Sequence, residues 1–246
     1  MLRAVLFDWG DTLMEWTPDA QLLTNGHRAG FAALGLDPIP AMTDRFRDVY
    51  LKEFFAPGVV EEVEYPSQVR RLLAEFDIEV DDDALATFLE AEHAAWGPAR
   101  QLGGETHALL ESLRERGLLL GLVSNAFDPP DLLHRDLAEL GVTERLDVAV
   151  FSSEIGRRKP DPAIFEYALG AIGVAASAAL FVGDNLANDI AGAAALGMRT
   201  CQAAWFQTDQ SGAAEPDFQA LAQMDVLTIA ENLRAGSIPG RPGPNP

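Results

Sequence analysis

The side chains best suited to chemistry sit where apolar, strand-like runs stop. Asp8 follows the run Arg3 to Phe7, with Thr12 four residues on. Ser124 ends the run Leu118 to Ser124 and Asn125 follows it. Asp184 ends Ala179 to Asp184, and Asp189 opens the next helical stretch. Lys159 lies in the loop before a helix that starts at Asp161-Pro162. Ligands of open parallel sheets bind beyond the carboxyl ends of the strands, so all of these groups are expected on one face. Two carboxylates converging there repel each other. A bound divalent cation resolves the repulsion, and hard oxygen donors suit magnesium. A carboxylate such as Asp8 can also attack phosphorus and form an aspartyl phosphate. The charge on the transferred oxygens then needs stabilising. The metal, Lys159, the Ser124 hydroxyl and the backbone amides around Trp9 and Gly10 are the groups available for it.

Taken singly, each residue has a plainer reading. Asp8 or Ser124-Asn125 can be turn residues, Asp189 can cap its helix, and Lys159 can be a solvated charge, as its neighbours Arg157 and Arg158 are expected to be. The coincidence of all these types at strand ends favours chemistry.

The pattern that positions them is α/β. Near-continuous apolar strands alternate with helices from Leu102 onward: a helix from Thr106 to Arg116, a strand to Ser124, a helix from Pro130 to Leu140, and a strand from Val148 to Ser152. A helix after Asp161-Pro162 follows, then the Asp184 strand, a helix from Asn188 to Leu196, and a strand from Met198 to Ala203. Such alternation predicts a Rossmann-like parallel sheet covered on both faces. Between the first strand and the rest lie four helical stretches. They start at Thr17-Pro18, at Thr43-Asp44, near Ser67, and at Asp81-Asp82-Asp83. The expected organisation is a core of 1–14 and 101–235, an all-helical inserted cap of 15–100, and a Pro/Gly-rich, frayed tail of 236–246.

Composition narrows the partners. The formal charge of −20 opposes nucleic-acid backbones and anionic membranes. A small anionic substrate then requires a local positive site. The only lysines are Lys52 and Lys159 in a background of arginine. The single cysteine, Cys201, allows no internal disulfide and reads as a buried hydrophobe. No apolar run spans a bilayer, and Met1 to Asp8 lacks a signal-peptide layout, so a cytoplasmic protein is expected. Oligomeric state is not readable.

Four motifs carry a family resemblance. Val5 to Leu13 (VLFDWGDTL), Leu120 to Asn125 (LGLVSN), Arg158 to Phe165 (RKPDPAIF) and Phe181 to Ile190 (FVGDNLANDI) resemble, in order, the motifs of haloacid dehalogenase superfamily hydrolases. The resemblance implies a phosphatase with Asp8 as nucleophile and magnesium ligand. The Gly10 carbonyl and Asp184 would be further ligands, and Asp189 would support the metal's water shell. Ser124 and Asn125 would hold the transferring group, Lys159 would neutralise it, and Thr12 would brace the first loop. One departure matters. The family's phosphatases usually carry a second aspartate two residues after the nucleophile as general acid/base, and this chain has Gly10 there, with Asp11 next. Asp11 is thus an open candidate for that role.

The departure keeps other readings in view. Haloacid dehalogenases lack that aspartate, but they also lack the Gly183-Asp184 signature. Phosphonate-cleaving relatives have a small residue there and a cap lysine that forms a Schiff base, for which Lys52 is the candidate. A non-catalytic binding protein on the same scaffold is a third reading, opposed by the retained Asp8, Lys159 and Asp184. Cap residues Arg45, Arg47, Lys52, Arg70 and Arg71 are candidates for substrate specificity.

Overall fold

The computed structural model describes residues 1–51 and 59–237. Lys52 and the tail from residue 238 onward lie outside the described residues.

A six-stranded parallel sheet forms the centre. Its strands are β1 (Ala4–Phe7), β4 (Leu119–Ser124), β5 (Val148–Phe151), β6 (Ala179–Gly183), β7 (Arg199–Ala203) and β8 (Phe218–Ala220), in the order β5-β4-β1-β6-β7-β8. Every residue of β1 and β6 is buried, as strands covered on both faces must be. The strand order reverses at β1, which pairs in parallel with β4 on one side and β6 on the other. This is the topological switch point, where a crevice opens at the carboxyl ends. Helices α5 (Thr106–Glu115), α6 (Pro130–Glu139), α8 (Pro162–Ile172), α9 (Gly192–Ala195) and α10 (Asp225–Ala235) connect or follow the strands, with a one-turn helix α7 (Ser152–Ile155) after β5. Asp161 caps α8, its carboxylate accepting from Ala163 N, and Gly173 ends that helix in the left-handed conformation.

Helices α1 (Ala20–Ala33), α2 (Pro40–Val49), α3 (Tyr65–Ala74) and α4 (Asp82–Trp96) lie between the first two core motifs. They enclose a separate apolar cluster that includes Phe31, Phe46, Leu73, Phe88 and Trp96. Its rings meet edge to face, as Phe31 and Phe88 do at 5.5 Å between centroids. Phe127, from the loop after β4, joins that cluster and ties it to the sheet.

Several local expectations are corrected. The expected boundaries at residues 15 and 100 fall in an antiparallel strand pair, β2 (Met14–Trp16) with β3 (Arg100–Leu102), and helices α1 to α4 lie between these two strands. Asp19, not Thr17, caps α1, and Pro18 precedes the cap. Helix α2 starts at Pro40 rather than near Thr43, because proline is pre-organised for the first turn. Helix α3 likewise opens on Tyr65-Pro66. The stretch expected as a helix from Asn188 begins as a π-helix (Leu186–Ala191) capped by Asn185. Strand β8 and helix α10 were not resolved as elements by periodicity. Cys201 is buried and unbridged, as expected. Among the described residues, no helix is long and apolar enough to cross a membrane.

Candidate active site

The register places the site. Phe7 pairs with Leu122 and with Val182, so Asp8 leaves the sheet between the ends of β4 and β6. Its backbone N still bonds to Val182 O at 2.9 Å, which fixes the direction of departure. Asp8, Asp184 and Asp189 bring carboxylate oxygens within 4.8 Å of one another. Lys159 Nζ lies 2.6 Å from Asp8 Oδ1 and 2.7 Å from Asp189 Oδ1. Burial acts to lower the lysine's pKa, but the two carboxylates outweigh it and the net shift is upward, which keeps the ammonium charged. Burial, with Asp8 and Asp189 beside it, pushes the Asp184 carboxyl up to about 8. A cation among these carboxylates relieves the same repulsion, so the donor set, all hard oxygen, fits magnesium.

Two glycines shape this cluster. A Cβ on Gly183 would sit 2.4 Å from Asp189 Oδ2, so only glycine lets that carboxylate fold back over the strand end. Asp189 is held there by Asn185 N at 3.0 Å, and it faces Lys159 instead of capping its helix. Gly10 is different. It has no positive φ, and a Cβ there would meet nothing closer than Trp16 Cβ at 3.9 Å. The positive φ, 55°, belongs to Asp11. The glycine is therefore not demanded by the backbone, and the strained conformation falls on the aspartate.

Asp11 faces the same cavity. Its Oδ1 accepts from Trp16 N at 3.1 Å and its Oδ2 from Gln207 Nε2 at 2.7 Å. Gln207 also donates to Asp184 Oδ2 at 3.0 Å, linking the two carboxylates. Burial raises the Asp11 pKa despite the Trp16 hydrogen bond.

Ser124 is buried at the end of β4 and lines the cavity. Asn125 has another partner. Its Oδ1 accepts from Lys159 N at 2.7 Å and its Nδ2 donates to Lys159 O at 3.0 Å. The Thr12 hydroxyl has no bonding partner among the described residues. The loop is braced through the Thr12 carbonyl instead, which accepts from Trp205 Nε1 at 2.9 Å and from Gln223 Nε2 at 3.3 Å.

A cavity of about 320 Å³ extends from Asp8 toward the helical insert. Arg158, expected to be solvated, is buried on its wall. The Glu62 carboxylate, itself buried, lies 3.5 Å from it, because residues 60–62 run antiparallel along residues 156–158. The far wall carries Arg100, Asp128 and Asp136, against which buried His93 packs. Arg45, Arg47, Arg70 and Arg71 do not line the cavity. The first three pair with Glu75, Asp44 and Asp82 on the insert's outer surface. Gln207, Arg100 and Arg158 escaped the reading of strand ends, although Gln207 follows the Cys201 strand and the same rule would have included it.

A haloacid dehalogenase-like hydrolase family model matches residues 2–197. The chain belongs to the haloacid dehalogenase-like hydrolases. This hydrolase is 30% identical over 204 residues to a phosphoglycolate phosphatase of Xanthomonas campestris, covering 82% of this chain and 83% of the relative. It is 30% identical to a glyceraldehyde 3-phosphate phosphatase of Methanopyrus kandleri, covering 81% and 83%. A phosphoserine phosphatase of Thermus thermophilus is 35% identical, but over only 52% of this chain and 51% of that protein. Among solved structures, a 2-haloacid dehalogenase from Pseudomonas syringae pv. Tomato superposes with a TM-score of 0.67 at 25% identity, covering 95% of this chain and all of the other. A phosphatase of the family from Thermococcus onnurineus gives 0.65 at 24% identity over 93% of this chain and 97% of the other, a likeness of fold alone.

Proposed function

We propose that this hydrolase is a magnesium-dependent phosphatase of small phosphate monoesters, working through an aspartyl phosphate at Asp8. The observation that carries the reading is the position of Asp8, at the switch point, 2.6 Å from a buried lysine and clustered with Asp184 and Asp189. Asp8, Asp184 and the Gly10 carbonyl would hold the metal, which supplies charge stabilisation to the phosphoryl oxygens. Asp8 attacks phosphorus while Lys159 and Ser124 face the equatorial oxygens. Lys159 also offsets the repulsion between Asp8 and the incoming dianion, an electrostatic contribution that grows as water is excluded. Asn125 holds Lys159 in place. The phosphorus–oxygen bond to the alcohol breaks as the bond to Asp8 forms, with Asp11 as the candidate donor of the alcohol's proton. Water then cleaves the aspartyl phosphate, giving a proton to Asp11 and releasing inorganic phosphate and free Asp8. The division into a core of 1–14 and 101–235 and a cap of 15–100 belongs to the same proposal, the helical insert closing the cavity above Asp8.

The relatives act, by name, on phosphoglycolate and glyceraldehyde 3-phosphate, which supports phosphate monoesters as the class. Gly10 and the likeness to a 2-haloacid dehalogenase favour a second reading, hydrolysis of carbon–halogen bonds. A screen of phosphate esters, acyl phosphates, phosphonates and haloacids, with and without magnesium, separates the two. The proposal expects metal-dependent phosphate release, and metal-independent halide release would replace it.

A further inference from the structure

The walls of the cavity differ from what a doubly anionic substrate needs. A substrate such as phosphoglycolate carries a carboxylate beside its phosphate, and binding it calls for a cation beyond those that serve the phosphoryl group. Among the described residues, each cation that lines the cavity already faces a carboxylate. Lys159 lies between Asp8 and Asp189. Arg158 faces Glu62. Arg100 lies 3.0 Å from Asp136 Oδ2. His93, just behind the wall, approaches Asp128 with Nδ1 at 2.7 Å and Asp136 with Nε2 at 3.0 Å. The Arg100 guanidinium also lies 3.0 Å from His93 Nε2 and 2.9 Å from Nδ1, so the ring nitrogens are shared between two carboxylates and a guanidinium. With His93 protonated the far wall holds two positive and two negative groups, and with it neutral the two carboxylates outnumber Arg100, so the wall carries no net positive charge in either state.

Around that unit the surface is aromatic. Three of the four tryptophans, Trp9, Trp16 and Trp96, line the cavity with Tyr50 and Phe127. Tyr50 meets Trp96 edge to face at 5.6 Å and Phe127 at 5.4 Å, which fixes a continuous ring-lined wall. Trp16 is only partly buried, and its ring lies 5.8 Å from the Arg100 guanidinium. Placing a second anion here means desolvating it with no uncompensated cation among the described residues to receive it, which is costly. A flat, uncharged body instead exchanges water for ring contact. At about 320 Å³ the cavity lies within the range of small-molecule sites.

We infer that the preferred substrate is a phosphate monoester whose leaving group is an uncharged aromatic or flat apolar body rather than an anionic one, a specificity set by Trp16 and by the neutralisation of Arg100 by Asp136. This rests on the phosphatase reading and deepens it. The Asp136–Arg100 pair is the switch in charge: removing the carboxylate leaves Arg100 less compensated and able to meet a substrate carboxylate.

The experiment uses two matched pairs. Benzyl phosphate and phosphoglycolate both lose an alkoxide and differ in phenyl against carboxylate. Benzylphosphonate and phosphonoacetate are their non-hydrolysable counterparts. The inference expects kcat/KM for benzyl phosphate to exceed that for phosphoglycolate by about tenfold or more, and Trp16→Ala to erase most of the difference through KM. Asp136→Asn should raise phosphoglycolate turnover relative to benzyl phosphate. Glu62→Gln, which leaves Arg158 less compensated, should act in the same direction from the other wall, whether or not the first variant folds. Calorimetry of the unmutated protein with the two phosphonates should give the same order. Equal or reversed order in the phosphonate pair, or a preference for phosphoglycolate, overturns the inference. If benzylphosphonate binds more tightly but neither ester is hydrolysed, the specificity stands and the phosphatase reading fails.

Discussion

Asn125 grips Lys159 by both ends of its amide, accepting from the lysine's backbone N at 2.7 Å and donating to its carbonyl at 3.0 Å. A loop residue that must present an ammonium to Asp8 is thereby locked to the end of β4, one residue past Ser124. The amide that the motif resemblance assigns to substrate binding is thus engaged at both ends on the backbone of a residue whose distance to Asp8 governs its electrostatic effect.

Asn125→Ala should therefore lower kcat more than it raises KM. A displacement on the order of 1 Å at a reacting centre costs about a hundredfold in rate. Asn125→Asp should do worse than the alanine variant, because both lose the donation to the Lys159 carbonyl but only the carboxylate also repels that carbonyl oxygen and the substrate's phosphate. Steady-state kinetics on one activated phosphate ester check both, and a pure KM effect would return Asn125 to substrate binding.

The Gly10–Asp11 inversion gives a second test. Gly10 has room for a side chain and an ordinary φ, while Asp11 bears φ 55°. The double exchange Gly10→Asp with Asp11→Gly should fold at least as stably as the natural chain. It should also raise turnover of alkyl phosphates relative to p-nitrophenyl phosphate, since general acid help is worth about a hundred- to ten-thousand-fold only where the leaving group needs a proton. Asp11→Asn alone should remove alkyl phosphate turnover if Asp11 supplies that proton. Unchanged rates in Asp11→Asn would show that it does not.

The carboxylate cluster of Asp8, Asp184 and Asp189 depends on Gly183. Gly183→Ala puts a Cβ 2.4 Å from Asp189 Oδ2 and should push that carboxylate off Lys159. Magnesium affinity measured by calorimetry should fall about tenfold, in line with the loss of outer-shell support. Asp184→Asn should weaken it further, and unchanged affinity in that variant would remove Asp184 from the metal site.

His93 supplies a pH-dependent tie between the insert and the sheet. It comes from α4, while Asp128 and Asp136 come from the loop after β4 and from α6. Burial and Arg100 oppose its charge, yet the two carboxylates win and its pKa is raised above 6.5. A raised folded pKa means stability that is fully present below the unfolded value and lost as pH rises through the folded one. The Tm of the natural protein should thus exceed that of His93→Gln by several degrees at pH 6 (about 2–4 °C per kcal/mol for a chain of this size), with the gap closing as pH rises. A gap that is constant or widens with pH would rule out the imidazolium.

Much of this was legible in the sequence because strands buried on both faces write themselves as apolar runs, and the groups at their ends follow. Asp8, Ser124, Lys159, Asp184 and Asp189 were all readable in that way, and the register brings them to one place. Pairings across long separations were not readable. Arg158 looks solvated beside Arg157 until Glu62 folds against it, and Arg100 looks like a linker residue until Asp136 faces it. The three-residue strands β2 and β3 are too short for periodicity to register. Arg45 and Arg70 are satisfied on the insert's outer surface by Glu75 and Asp82, distant in sequence, which charge alone could not foretell.

The central claim is that Asp8 becomes phosphorylated. Rapid acid quench of the protein turning over p-nitrophenyl phosphate with magnesium, followed by peptide mass spectrometry, tests it most directly. The account predicts a single phosphoryl group on the peptide containing Asp8, absent in Asp8→Asn. Steady turnover with that peptide unmodified at every quench time, or equal turnover by Asp8→Asn, would contradict it.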